Sequence, residues 1–358
     1  MADEAYIKLQ EYLDEFPIGF PKTSTGVEIE ILKRLFTEEE AKITVMLKPI
    51  PASVSSIARR AKMDKKEMEN KLEAMAKKGL IFKVKRGGKT LFNSAPFMIG
   101  LYEYSVNKID KNLAEMFKEY YNIAMMEELG ASDVPGFKVL PIDELIEANT
   151  VLYPYHKLKE SIKNASKIAV YDCVCRKESR LLGEGCDYPM EETCLAFGAA
   201  AEYYIENGWA REITPEECLE VIEKTDKAGL VHAGVNSKHL SNICNCCPCC
   251  CATMKGITKK GFDKHRFLNA IFESIIDQEL CIGCGNCVDR CPVNAIILDD
   301  VANVANVDRD LCLGCGLCAS VCAEEAISLH LREDGEEPYE RVLALGKAVA
   351  EGKRKQSK

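Results

Sequence analysis

The sequence predicts a multidomain α+β chain, and three observations carry that prediction. All nineteen cysteines lie between Cys173 and Cys322, so the first 172 residues form a cysteine-free half. A cysteine pattern near the C-terminus is duplicated with a constant offset of 31 residues. Ahead of both, Thr25 to Phe92 runs through three or four short amphipathic helices into two alternating strands. At 358 residues there is room for more than one core, and 47% hydrophobic with 29% charged residues is ordinary for a folded, water-exposed protein. No apolar run approaches a membrane span, and MADEAYIKLQEYLDEF lacks a signal peptide's basic start and apolar stretch, so a cytoplasmic location without membrane insertion is expected.

The N-terminal elements follow from caps and turns. Val27–Phe36 is amphipathic. Thr37 with Glu40 forms a capping box for a helix to Leu47. Val54–Lys62 is a third helix, and Asp64 caps a fourth that Gly79 ends. LIFKVKRGGKTLFNS then turns at Gly87-Gly88 as a hairpin. This order resembles a winged helix, with SVSSIARRAKMDKKEMENKLEAMAKKG as its helix-turn-helix. The resemblance implies nucleic-acid binding or docking. Lys22 to Lys89 carries a charge of +8, and Lys65, Lys66, Lys71, Lys85, Arg86 and Lys89 suit phosphates. Asp64, Glu67, Glu69 and Glu73 oppose that reading on the same helix. Residues 1–95 are assigned to this domain. Residues 96–165 are assigned to a helical connector whose Met98, Tyr102, Tyr104, Met116, Tyr120 and Met125 belong to a core or an interface.

The duplicated pattern is CIGCGNCVDRCP and CLGCGLCASVCA. Cys281, Cys284, Cys287 and Cys291 have C-x2-C-x2-C-x3-C spacing, and Cys312, Cys315, Cys318 and Cys322 repeat it. Nineteen cysteines in a reducing compartment point to metal or redox chemistry rather than disulfides. Three thiolates two residues apart can wrap one face of a cubane while the fourth points to the neighbouring one. Residues 271–331 are assigned to this module, and from about Asp277 to His330 they resemble a bacterial ferredoxin with two [4Fe-4S] clusters. The resemblance implies one cluster on Cys281, Cys284, Cys287 and Cys322, and a second on Cys312, Cys315, Cys318 and Cys291. Ala323 departs from it where a second proline often stands. Asp277 to His330 carries −7, consistent with a low potential and with a docking face for a basic redox partner.

Between the halves, residues 166–270 are expected to be a mostly helical, cysteine-rich domain. Cys218 sits on an amphipathic helix as a small buried hydrophobe. Cys173, Cys175, Cys186 and Cys194 suit one tetrahedral metal or one cubane, with Arg176 favouring thiolates. NICNCCPCCC adds Cys244, Cys246, Cys247, Cys249, Cys250 and Cys251, two more thiols than a cubane takes. Three arrangements are open: one cubane with two free thiols, exchange of ligands between the two groups, or a larger cluster. Zinc is the alternative to one or two further iron–sulfur clusters. His232 is expected to be a hydrogen-bonded structural residue.

C-x-C-R followed by CNCC-x-CCC and the ferredoxin-like repeats resembles a family of 4Fe-4S dicluster ferredoxin-type proteins of anaerobes, over Lys167 to Leu329. It implies iron–sulfur electron transfer and names no substrate. The expected function is therefore an electron-transfer protein or redox subunit. The competitors are a redox-sensing winged-helix regulator and an iron–sulfur reductase acting at the middle site. No nucleotide-binding or hydrolase motif appears. Residues 332–358 are expected to be a helical tail that frays into its basic end.

Overall fold

The computed structural model describes residues 3–147, 156–299 and 301–356. Asp300, counted in the acidic charge above, and residues 148–155 of the stretch assigned to the connector lie outside them.

In the N-terminal quarter the local signals place the elements. Helices span Val27–Leu35, Glu38–Met46, Val54–Ala61 and Lys65–Lys77. Thr37 and Glu40 exchange the reciprocal bonds of a capping box, and the Asp64 carboxylate accepts from the Lys66 and Glu67 amides. Strands β1 (Ala52–Ser53), β2 (Ile81–Arg86) and β3 (Lys89–Ser94) pair in the order β1-β3-β2. The hairpin does not stand free. Lys83 and Lys85 reach Glu206 of the helix Ala199–Glu206, and Tyr203 of that helix donates its buried hydroxyl to the carbonyls of Ala76 and Ile81.

The stretch expected to be one long helical connector is broken. Irregular turns occupy Phe97–Leu101 and Glu103–Ser105, and a helix begins only at Lys111, where Asp110 caps it. Phe20, Phe97, Tyr102, Phe117, Tyr120 and Tyr121 stack there as one aromatic core, so the apolar stripe is core. The segment then contributes β4 (Phe137–Val139) to the sheet of the next region, so it is not a separate connector.

The middle region contains five helices, but a seven-stranded sheet organises it, which corrects the expectation of a mostly helical domain. With β5 (Ile168–Tyr171), β6 (Cys194–Phe197), β7 (Arg211–Glu212), β8 (Val231–Val235), β9 (Asn242–Cys246) and β10 (Leu268–Asn269), the order is β10-β4-β8-β9-β6-β5-β7. The strands have at most five residues, too short for their alternation to stand out in sequence. Neighbouring residues point to opposite faces. Val170, Leu195 and Ile243 face one way, against the helices Leu158–Lys163 and Pro215–Ala228, and Cys218 is fully buried among them. Tyr171, Cys194 and Ala233 face the other way, into a core continuous with that of the N-terminal helices. The two halves are fused through one core.

Lys138 on β4 is 3% exposed, and burial pushes its amine down to about 8. The unfolded amine titrates near 10.5, so folding at neutral pH buries a cation at a cost of roughly 3 kcal/mol. Between pH 8 and 10.5 the unfolded state holds more protons, and stability rises with pH. Lys138→Met is therefore expected to stabilise the fold at pH 7, with the gain fading by pH 10.5. Denaturant titrations at both pH values check this, and a gain unchanged with pH refutes it.

The C-terminal module pairs β11 (Phe272–Ile276) with β14 (Ile327–Leu331) and β12 (Ile296–Asp299) with β13 (Val304–Val307). The last helix, Val342–Gln356, differs from the expected fraying tail. It buries Leu345, Val349 and Gly352, and Lys353 donates to the Glu128 carboxylate at 2.6 Å.

Candidate metal centres

The eight C-terminal cysteines line two cavities. Cys281, Cys284, Cys287 and Cys322 surround one, and Cys291, Cys312, Cys315 and Cys318 surround the other. The fourth cysteine of each repeat thus stands with the first three of the other. Gly283 and Gly314 adopt φ of +68° and +64°, and a Cβ on either would fall 2.3 Å from the Asn303 carbonyl oxygen or 2.0 Å from that of Phe272. Backbone amides of Ala305, Ala295 and Gly314 donate to the sulfurs of Cys281, Cys291 and Cys312, and Ser274 Oγ lies 3.2 Å from Cys318 Sγ. Such bonds favour sulfur carrying negative charge. The two cavities differ in access. Cys284 is exposed, while Cys312 and Cys318 are buried.

The ten middle cysteines do not sort by their position in sequence. The quartet Cys173, Cys175, Cys186 and Cys194 does not form. Cys186 lies on the loop after the helix Val174–Leu181, and its sulfur stands with those of Cys247, Cys249 and Cys250. The other six form a ring. Cys194 and Cys244 are cross-strand partners on β6 and β9, and Cys244 and Cys246 share a face of β9. Cys173 and Cys175 open the helix Val174–Leu181, and Cys251 caps the helix Ala252–Thr258. Sulfur contacts run from Cys175 to Cys173, Cys194, Cys244, Cys246 and Cys251, and Cys251 faces Cys175 again. The neighbouring thiols of Cys175 and Cys194 hold Cys173 well below the usual thiol range, and those of Cys194 and Cys246 do the same for Cys244.

Arg176 stands between the two sets. It is 1% exposed, donates to the Asn245 carbonyl at 2.9 Å and to Thr193 Oγ1 at 2.6 Å, and faces Cys173 and Cys194 on one side and Cys247 on the other. Its Nε and the buried Tyr121 hydroxyl, which faces Cys175 and Cys251, have no protein partner. A buried guanidinium requires buried negative charge, and buried donors without partners require acceptors. Thiolates holding metal with inorganic sulfide supply both, so the residues fit iron–sulfur centres. Glu103 lies near Cys173 and Cys244, and burial pushes its carboxyl up to about 8. His232 is buried with Nδ1 2.6 Å from Asn245 Oδ1, and Asn245 donates to the Thr193 carbonyl. It thus helps hold the β8–β9 pair.

Sequence reasoning missed the junction between the middle and C-terminal regions. Arg290, next to Cys291, donates to the carbonyls of Asp226 and Lys227 and lies beside Tyr188, which packs against Cys247 and Cys250. Lys264, which is buried, donates to the carbonyls of Arg309 and Cys312. Arg290 and Tyr188 are about a hundred residues apart in sequence, and no local pattern links them.

A family model described as a 4Fe-4S dicluster domain matches residues 274–329. The match spans 56 of the 358 residues and concerns that module alone. No curated protein and no solved structure matches the chain. Among the described residues no helix is long and apolar enough to cross a membrane. The C-terminal module is thus an iron–sulfur module of the dicluster ferredoxin type.

Proposed function

We propose that the protein is an iron–sulfur electron carrier or redox subunit that passes electrons between an external partner and a centre held by the six-thiol ring. In this reading Cys281, Cys284, Cys287 and Cys322 hold one [4Fe-4S] cluster, and Cys291, Cys312, Cys315 and Cys318 hold another. One-electron transfer at low potential is the chemistry that such clusters supply. One observation carries the reading. The two cavities are ordered, one opening to solvent at Cys284, the other with Cys315, Leu313 and Leu317 packed into the core that contains Cys173, Cys194 and Cys251.

The chain's own residues shape both ends. Leu280 and Ile282 are about half exposed beside Cys284, with Asp277 and Glu279 adjoining. The two arginines of the module are engaged, Arg290 with the middle region and Arg309 with Glu273, so the acidic groups dominate the face offered to a partner. A basic redox partner suits that face. At the other end Tyr102, Tyr121 and Tyr171 are buried and shield the ring from water. The nucleic-acid reading has less support, because Lys85 and Lys71 are engaged with Glu206 and Glu39.

Cys284→Ala tests the proposal. It is expected to remove about four iron atoms per chain and to slow reduction of the middle centre by an external one-electron donor roughly tenfold or more. Iron and sulfide counts with anaerobic stopped-flow spectroscopy read both. An unchanged rate with the iron lost would sink the proposed route.

A further inference from the structure

The sulfurs of Cys186, Cys247, Cys249 and Cys250 all lie within 4.8 Å of one another. Cys186 and Cys250 are 3.5 Å apart, and Cys249 and Cys250 are 3.9 Å apart. Among the described residues no other three cysteines are this compact, so both ferredoxin-type quartets are wider. The same chain therefore contains its own reference for the spacing that a cubane requires.

That difference has a chemical meaning. Four thiolates on one tetrahedral ion, with metal–sulfur bonds of about 2.3 Å, stand roughly 3.8 Å apart. On a cubane each thiolate binds a different iron, and the inorganic core spreads the four. We propose that Cys186, Cys247, Cys249 and Cys250 bind a single tetrahedral ion, zinc or iron, and not a cubane. The inference deepens the reading above, in that it requires the middle thiols to be metal-bound.

Two further features support it. Four thiolates on one divalent ion leave a net charge of −2, and the buried Arg176 guanidinium faces Cys247 to offset part of it. All four positions are cysteine, which leaves no open coordination position, as structural ions have and catalytic ones do not. The ion's role follows from what it ties together. Cys186 lies on the loop that bears Tyr188, and the other three lie on the turn after β9. Joining them fixes Tyr188 against Arg290, the residue that precedes Cys291. The ion thus sets how the C-terminal module seats on the middle region.

The test uses the full chain purified without oxygen. Zinc, iron and acid-labile sulfide are counted, and X-ray absorption is recorded at the zinc and iron edges. The expected result is one zinc with four sulfur neighbours at about 2.3 Å and no nearby metal, or else one iron in excess of sulfide. Cys249→Ala is expected to lose that one ion and to keep its sulfide count. Loss of about four iron and four sulfide together in the variant overturns the proposal, as does a wild-type chain with no four-sulfur mononuclear ion. The wild-type spectra decide the matter even where the variant fails to fold. They are also independent of the Cys284→Ala experiment, so failure of the single-ion assignment is separable from failure of the electron route.

Discussion

Arg176→Met is expected to strip metal from the middle thiols while the C-terminal module keeps its iron. The guanidinium faces both the six-thiol ring, at Cys173 and Cys194, and the compact quartet, at Cys247. Methionine fills similar space but leaves two groups of buried thiolates without compensation, orphans the Asn245 carbonyl and removes the bond that Thr193 Oγ1 accepts, leaving that hydroxyl only its donation to the Met190 carbonyl. Removing one partner of a buried charge pair costs about 3–5 kcal/mol. If that cost falls on metal binding, affinity drops by about two to four powers of ten. Arg176→Lys is expected to fall between, because a point charge cannot keep both donations and face both thiol groups. Metal and sulfide content after dialysis against a chelator reads the effect. A Met variant that keeps its middle metals would show that the charge of these centres is balanced elsewhere.

Gly314→Ala is expected to abolish the cluster that we assign to Cys291, Cys312, Cys315 and Cys318. The new Cβ would meet the Phe272 carbonyl oxygen at 2.0 Å and its carbon at 2.5 Å, at a φ of +64° that alanine resists. Both obstructing atoms are backbone of β11, so no side-chain rotation relieves the clash, and the cost is about 4 kcal/mol or more. Gly285→Ala is the control. Its φ is +80°, but nothing lies within 4 Å of its Cβ, so it carries only the conformational cost of about 1–2 kcal/mol. Iron counts with electron paramagnetic resonance of the reduced protein separate the two. Gly314→Ala is expected to lose about four irons per chain and Gly285→Ala none. Equal losses in both would mean that backbone conformation matters here and the close approach to β11 does not.

What could be read in the sequence was what depends on neighbours within a few residues. The Thr37–Glu40 box and the Asp64 cap set helix starts because the bonds close within one turn. The helix-to-hairpin order over Thr25 to Phe92 follows from such signals. The 31-residue repeat displayed the ferredoxin-type module, since cluster ligation there is itself a matter of spacing. Cys218 could be separated from the other thiols by its helical phase alone, and it is fully buried on the far face of the sheet.

The arrangement of the middle thiols could not be read this way. Cys186 is close in sequence to Cys194 but stands with Cys250, and Cys244 is close to Cys247 but stands with Cys194. Pairing β6 with β9 decides this. It brings Cys194 and Cys244 side by side, and the period of two puts Cys246 on the same face and turns Cys247 away toward Cys186. The helix Val174–Leu181 then places Arg176 between the two groups. The sequence by itself determined that this chain carries an iron–sulfur module and a second, thiol-rich region, because composition and spacing are local facts. Only the tertiary structure decided that ten thiols divide as six and four around one buried cation, because strand register and the shared core are set by contacts between segments far apart in the chain.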